Sequence, residues 1–217
     1  MEKEIIAIDG PAASGKSTVA KQVAQKLGYK YIDSGAMYRC LTLYALDNNI
    51  EINSIVDYLS EIKIEFGNNL EVFMNDIDVS NDIRSLRVTK NVAKLAAIKE
   101  VREYLVAMQQ GYGVDKGIVM DGRDIGSVVF KDAKVKIYQI ASVEARAQRR
   151  YEEDKRQGRL SSLEEIKADI EQRDYEDINR EVTPLVKAED AVELDTSNMS
   201  VAQSVDAVIE IFNEKVK

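Results

Sequence analysis

Short apolar runs separated by amphipathic segments dominate the pattern of hydrophobic and polar positions along the chain. Residues 5–8 read Ile-Ile-Ala-Ile before Asp-Gly-Pro, which is typical of a strand buried on both faces. Similar patterns predict four more strands, at residues 29–32, 117–120, 135–140 and 192–194. Helices are predicted between the strands, at residues 16–27, 36–48, 53–60, 88–112, 142–157, 163–181 and 200–215. Strands that alternate with helices indicate an α/β fold with a doubly wound, five-stranded parallel sheet.

Residues 61–80 interrupt this alternation. Apolar and polar residues alternate over 62–66, a Gly-Asn-Asn turn follows, and the alternation resumes over 70–74. This pattern predicts a β-hairpin, and a third short strand is expected at 77–79. We therefore expect a small antiparallel sheet inserted into the parallel fold.

Composition narrows the class of protein. The 217 residues, of which 45% are hydrophobic, suit a single α/β domain spanning 1–217. A net charge of −8 argues against a nucleic-acid partner, because such binding depends on neutralising phosphates. No signal peptide and no run of membrane-spanning length is present in the sequence, so we expect a cytoplasmic protein without a membrane partner.

Residue usage also limits the chemistry. The single cysteine, Cys40, has no internal disulfide partner, which fits a reducing compartment. The chain contains no histidine, so the commonest general base and the commonest metal ligand are both missing. Any catalysis must use carboxylates, lysine, arginine, hydroxyls, backbone amides or a metal held by oxygen.

Residues 10–17, Gly-Pro-Ala-Ala-Ser-Gly-Lys-Ser, fit the phosphate-loop motif G-x-x-x-x-G-K-[ST] and lie between a predicted strand and a predicted helix. In this motif the backbone amides and the helix N-terminus surround phosphate oxygens. Lys16 is expected to contact the β- and γ-phosphates, and Ser17 to bind Mg²⁺. The residues expected to bind ATP are Gly10, Pro11, Ala12, Ala13, Ser14, Gly15, Lys16, Ser17 and Thr18.

Two further segments follow predicted strands and carry arginines. In the first, residues 33–39, Asp33 or Ser34 is a candidate helix cap, and Arg39 near the helix N-terminus favours a bound anion. In the second, Asp121 is a candidate for holding Mg²⁺ through water, Arg123 for binding a phosphate, and Asp124 for accepting from a substrate amine. An ordinary capped helix and a turn with a local Asp–Arg pair are the alternatives.

Two predicted helices carry charged faces. Arg146, Arg149 and Arg150 share one face, and Arg173, Asp177 and Arg180 share another. Solvated surfaces, with salt bridges, would produce the same patterns. The polar segment 154–162 between these helices, with Arg156 and Arg159, suits a mobile lid that excludes water from transferred phosphate.

Taken together, these motifs resemble bacterial cytidylate kinases over essentially the full chain. The matching segments are IDGPAASGKST at 8–18, DSGAMYR at 33–39, VRE at 101–103, DGRDIGSVVF at 121–130, RD at 173–174 and NR at 179–180. The resemblance implies an enzyme that transfers the γ-phosphoryl group of ATP to CMP or dCMP with Mg²⁺. It also implies an acceptor-binding region at 35–112, including the sheet at 61–80, and a lid at 151–162.

The resemblance assigns roles to the charged residues. Arg39, Arg123 and Arg180 would hold the acceptor phosphate, and Arg102 with Asp124 would bind cytosine. The remaining assignments are Ser34 in the acceptor pocket, Arg173 and Asp177 on the pentose, and Arg146, Arg149 and Arg150 on the lid side, neutralising charge on the transferring phosphoryl group. Ala93 departs from the family, whose members often carry a serine there that helps to bind the base.

Direct in-line transfer to an anionic phosphate oxygen needs no general base, which fits a chain without histidine. A monomer is expected. Two alternatives remain open: a phosphate-loop kinase of another small acceptor such as shikimate, and a regulatory module that binds ATP without turnover.

Overall fold

A parallel sheet forms the centre of the protein in a computed structural model, which describes residues 3–68, 70–156, 158 and 160–217. Its strands are β1 (Ile5–Asp9), β2 (Lys30–Asp33), β6 (Ile118–Gly122), β7 (Val135–Ile140) and β8 (Val192–Asp195). They lie in the order β2-β6-β1-β7-β8, and every pair is parallel. The predicted five-stranded parallel sheet is confirmed.

Helices cover both faces of the sheet because β1 is apolar on both sides. Ala7 faces a core built with α2 (Ser34–Asp47), α3 (Leu86–Ala96) and α4 (Lys99–Tyr112). Ile6 and Ile8 face the opposite core, built with α1 (Lys16–Leu27) and α7 (Val201–Lys215). Alternating side chains of one strand therefore serve two hydrophobic cores. Cys40 of α2 lies fully buried in the first core.

A second, antiparallel sheet comprises β3 (Ile64–Phe66), β4 (Val72–Met74) and β5 (Ile77–Asp78), at the position of the predicted hairpin. Asn69 of the expected turn lies outside the described residues. A 3₁₀ segment, Ile52–Glu61, precedes this sheet where the sequence pattern predicts a helix.

The continuous helix predicted at 88–112 is wrong, because α3 ends at Ala96 and α4 begins at Lys99. Ile98 adopts an extended conformation between the two helices. The Arg102 side chain donates to the Ala96 carbonyl at 3.1 Å, so it replaces an intrahelical partner at the end of α3. The break in the helix therefore helps to position a candidate functional arginine.

Two helices, α5 (Val143–Arg156) and α6 (Leu163–Asn179), pack against each other around Ala147, Ile166 and Ile170. Because α5 continues through Arg156, it includes the first part of the predicted lid, and Arg159 lies outside the described residues. Within the described stretches of chain, no helix is both long and apolar enough to cross a membrane.

Candidate active site

The phosphate loop connects β1 to α1 at the carboxyl edge of the sheet. Gly15 has φ 85°, and Ala13 also has a positive φ of 55°. A side chain at Gly10 would place its Cβ 2.1 Å from the carbonyl oxygen of Gln139, so only glycine fits there. Packing against the neighbouring strand therefore requires the first glycine of the motif.

Long side chains hold the loop carbonyls from outside. Gln139 donates to the Ser14 carbonyl at 2.7 Å, and Arg149 donates to the same oxygen at 3.3 Å. Arg146 donates to the Ala12 carbonyl at 3.0 Å. Because these carbonyls already have partners, the loop conformation is fixed by the protein before any ligand binds.

Lys16 is buried at the start of α1, and its Nζ donates to the Pro11 carbonyl at 3.0 Å. Burial, with a smaller contribution from the positive charge of Arg123, lowers the pKa of Lys16 to about 7. A phosphate anion beside the amine would favour its charged form. Thr18, also predicted to bind ATP, is exposed on the first turn of α1.

Three aspartates lie at or next to the ends of neighbouring strands at this edge. Asp33 of β2 lies opposite Asp121 of β6, and Asp9 of β1 lies opposite Gly122. Asp9 accepts from the backbone amides of Ile125 and Gly126 at 2.8 and 2.7 Å, and burial raises its pKa to about 7. Asp9 therefore holds the turn that follows residues 121–124.

Asp121 links the phosphate loop to two other elements. Its carboxylate accepts from the Ser17 hydroxyl at 2.6 Å and from the Tyr31 hydroxyl at 2.6 Å. Its backbone carbonyl accepts from Ser34 at 2.7 Å. Burial and the nearby negative charge of Asp33 raise the pKa of Asp121, so a cation there would relieve unfavourable electrostatics.

Six of the eight site arginines predicted from the sequence line one cavity of about 300 Å³, whereas Arg146 and Arg149 do not. Lys16 and Ser17 of the phosphate loop line one part of this cavity, which we call its donor end. Arg150 of α5 also lines the cavity. The other predicted residues that line the same cavity are Ala13, Ser34, Arg39, Arg102, Asp121, Arg123, Asp124, Arg173, Asp177 and Arg180.

Carboxylates hold these arginines in place. Arg39 pairs with Asp33 at 2.7 Å, and Arg123 pairs with Asp177 at 2.6 Å. Asp33 also caps α2 by accepting from the Ala36 amide at 2.9 Å. Burial acts to raise the pKa of Asp33, but Arg39 and Arg84 more than offset it, so the pKa is lowered. The aspartate thus remains ionised beside the arginine.

Some guanidinium nitrogens remain available in the cavity. Within the described part of the chain, Arg39 Nε, Arg173 Nε and Arg180 Nη2 are buried without a hydrogen-bond partner. Buried polar groups normally have partners, so these donors require an acceptor that a ligand would supply. Anionic oxygen atoms would satisfy them.

Arg102 and Asp124 form a buried ion pair in the wall of the cavity. Arg102 also donates to the Thr183 hydroxyl, and its guanidinium lies 5.3 Å from the centre of the Tyr38 ring. Ala93 lines an adjoining depression of about 310 Å³ that shares Ala96, Asp177 and Arg180 with the main cavity. Neither Tyr38 nor Thr183 was predicted from the sequence.

The three arginines predicted to share one face of α5 differ in what they contact. Arg150 pairs with Asp154 at 3.2 Å and lines the cavity, whereas Arg149 binds the Ser14 and Thr196 carbonyls. Arg146 is buried and pairs with Asp174 at 2.5 Å. In this structure, Arg146 and Arg149 therefore support the phosphate loop from behind.

Comparisons with known proteins agree with this arrangement. A family model described as cytidylate kinase matches residues 6–214. A cytidylate kinase of Streptococcus thermophilus is 49% identical, covering 98% of this chain and 95% of its own length. A cytidylate kinase of Bacillus cytotoxicus is 50% identical, covering 100% of both chains.

One solved structure supports the fold alone. It is an uncharacterized protein from Eubacterium ventriosum, with a TM-score of 0.54 at 11% identity, covering 98% of this chain and 99% of the other.

Proposed function

The chain belongs to the cytidylate kinase family, and from that premise we propose that it transfers the γ-phosphoryl group of ATP to CMP or dCMP. One observation supports this most directly. Lys16 of the phosphate loop and Arg39, Arg123 and Arg180, from three separate segments, line the same cavity. Two phosphate-bearing ligands can therefore meet within it, which is the arrangement that direct transfer requires.

On the donor side, residues 10–18 would bind the ATP phosphates. The curled backbone supplies amides, and α1 adds the positive end of its dipole. Lys16 would leave the Pro11 carbonyl and contact the β- and γ-phosphates. Its lowered pKa fits a buried amine that becomes fully charged only when an anion is present.

The residues present also fit Mg²⁺. The Ser17 hydroxyl and the Asp121 carboxylate adjoin each other beside the loop, and Mg²⁺ prefers oxygen ligands from few protein groups. Ser17 would bind the ion directly and Asp121 through water. The ion, when bound, would neutralise phosphate charge.

On the acceptor side, the proposed roles follow the family resemblance. Arg39, Arg123 and Arg180 would hold the acceptor phosphate, which would supply partners for buried Nε and Nη2 groups. Arg173 and Asp177 would contact the pentose, and Ser34 would line the pocket. The segment 35–112 would form the acceptor-binding region, and 151–162 the lid.

Base selection is assigned to Arg102 and Asp124. A carboxylate accepts from the exocyclic amine of cytosine, and a guanidinium donates to its ring acceptors. Uracil carries a carbonyl where cytosine has the amine, so it would face Asp124 with repulsion. The salt bridge and the Ala96 carbonyl hold Arg102 in position.

Transfer then needs no protein nucleophile, because an acceptor phosphate oxygen attacks the γ-phosphorus in line with the leaving ADP oxygen. Arg150 lines the cavity and would neutralise charge in the transition state. That Arg146 and Arg149 also reach the phosphoryl group stays a prediction. The proposal includes a monomer, since residues of one chain line the cavity, and a cytoplasmic location, which a single unpaired cysteine fits.

A panel of acceptors tests the proposal. Purified protein with ATP and Mg²⁺ is mixed with CMP, dCMP, UMP, AMP or shikimate, and ADP formation is followed. We expect CMP and dCMP to be turned over, with kcat/KM at least about tenfold above that for UMP. If ATP binds but no acceptor in the panel gives ADP, the result would support a regulatory module. Equal kcat/KM values for CMP and UMP would contradict the base assignment.

A further inference from the structure

Asp174 of α6 binds the phosphate loop but has no role in the transfer described above. One carboxylate oxygen accepts from the Ala12 amide at 2.9 Å, and the other accepts from Arg146 Nη1 at 2.5 Å. Arg146 in turn donates to the Ala12 carbonyl at 3.0 Å. Both backbone groups of Ala12 are therefore held by side chains from the α5–α6 pair.

The helix that carries Asp174 also carries the acceptor side of the cavity. Asp177 lies three residues further along, hence on the same side of α6, and accepts from Arg123 at 2.6 Å. Arg173 precedes Asp174, and Arg180 follows the end of the helix. Three residues, a rise of about 4.5 Å along the helix, thus separate the contact with the phosphate loop from the contact with Arg123.

Apolar packing alone holds this helix weakly. The buried core between α5 and α6 consists of Ala147, Ile166 and Ile170 in the described residues, far smaller than the two cores of the main sheet. Elements with few buried apolar contacts are those that open or shift most easily. A charged link to the phosphate loop therefore has a large share in positioning α6.

We infer that Asp174 is a positioning residue that couples occupation of the phosphate loop to the geometry of the acceptor site. This inference rests on the proposed function. ATP bound in the loop restricts Ala12, and Asp174 transmits that restriction through α6 to Asp177, Arg123 and Arg180. Because coupling between two binding sites is reciprocal, the acceptor must tighten ATP binding by the same factor.

Calorimetry of Asp174→Ala tests the coupling. The Kd of CMP is measured with and without a non-hydrolysable ATP analogue and Mg²⁺. We expect the analogue to lower it at least about fivefold in the parent protein and less than about twofold in Asp174→Ala. Asp169→Ala removes an exposed carboxylate of the same helix. It should keep the parent protein's ratio of the CMP Kd without the analogue to the CMP Kd with it.

A parent-like ratio in Asp174→Ala, or a ratio of one in the parent protein, would overturn the inference. If Asp174→Ala does not fold, Asp174→Asn is measured instead. The amide keeps an oxygen for Ala12 but loses the charge that faces Arg146, so a reduced ratio is again expected.

Hydrogen exchange separates this inference from the proposed function. Failure of CMP to bind the parent protein would refute the proposed acceptor, yet the effect of the ATP analogue on α6 is still measurable. The analogue should slow amide exchange in residues 163–179 of the parent and of Asp169→Ala, but not of Asp174→Ala. Unchanged exchange in the parent would refute the coupling itself.

Discussion

The donor end of the cavity is one contiguous loop, whereas its acceptor end is assembled from side chains far apart in the sequence. Residues 10–17 present backbone groups whose conformation is fixed by local glycines and by Gln139. Arg39 and Arg123 come from different elements and depend on Asp33 and Asp177 for their positions. The donor site is therefore one short segment that distant side chains support, whereas the acceptor site is assembled only in the completed fold.

The two ends also differ in charge. Backbone amides are neutral, and Lys16 has a pKa lowered to about 7, so the donor end carries little fixed charge without ligand. At the acceptor end, carboxylates accompany the guanidinium groups. Aspartates prevent strong repulsion between the arginines while leaving Arg39 Nε and Arg180 Nη2 without a hydrogen-bond partner, although Arg180 Nη2 lies 3.9 Å from Asp124.

Of the changes that test this difference between the two ends, removal of Lys16 from the donor end should have the largest effect. We expect Lys16→Ala to lower kcat on the order of 10³-fold, because charge that develops on the phosphates loses its contact. The free energy of unfolding should change by less than about 1 kcal/mol, because burying the charged amine already costs electrostatic energy in the folded protein. Steady-state kinetics and thermal unfolding measure both.

Lys26→Ala on the same helix is the matched control, since its pair with Asp206 is exposed. It should leave kcat unchanged. Parent-like activity in Lys16→Ala would remove the loop from the catalytic mechanism.

The next largest effect concerns the base. We expect Asp124→Asn to lower kcat/KM for CMP on the order of 100-fold and to narrow the preference over UMP, because an amide can donate to the uracil carbonyl. The KM for ATP should change little. Asp132→Asn, at an exposed position, is the control. Equal losses for CMP and ATP would place Asp124 outside the base pocket.

A smaller effect should appear as proton uptake at the donor end. Lys16 with a pKa of about 7 is largely neutral at pH 8, and bound phosphates raise that pKa, so binding takes up a proton. Affinity for an ATP analogue should consequently fall as pH rises above about 7. Calorimetry at pH 8 in buffers of different ionisation enthalpy measures the uptake. The same uptake in Lys16→Ala would assign it to another group.

The smallest effect tests whether the acceptor end depends on α6. Ser162 caps this helix in a reciprocal pair with Glu165, and Ser200 caps α7 in the same way with Gln203. Each change to alanine should lower the free energy of unfolding by about 1 kcal/mol. Only Ser162→Ala should also raise the KM for CMP. A matching rise in Ser200→Ala would show a general effect of stability.

Sequence alone predicted the donor end well because its signal is local. The buried run of β1, the glycine spacing and the amphipathic α1 all lie within residues 5–27. The parallel sheet followed from the same kind of pattern. The break between α3 and α4 was missed, because it depends on the Arg102 side chain reaching the Ala96 carbonyl, which periodicity does not encode.

At the acceptor end, the arginines and their partners Asp124 and Asp177 were named from the sequence, but the pairing of Arg123 with Asp177 and of Arg39 with Asp33 was not. Asp9 and Asp33 each end a strand at the ligand-binding edge, so strand position was a usable signal for them. Asp174 gave no such signal, since its partners lie 28 and 162 residues away. Contacts at that range follow from the tertiary fold.

Cys40, buried in the core beside the acceptor end, has a consequence for experiments on this protein. Burial raises the pKa of its thiol to about 12, and only the thiolate attacks disulfide reagents. The intact molecule should resist labelling, so the speed of labelling reports how often α2 becomes accessible. Because the chain has one cysteine, this measurement of opening needs no engineered probe. Bound nucleotide should slow the labelling in proportion to the fraction of protein that is occupied.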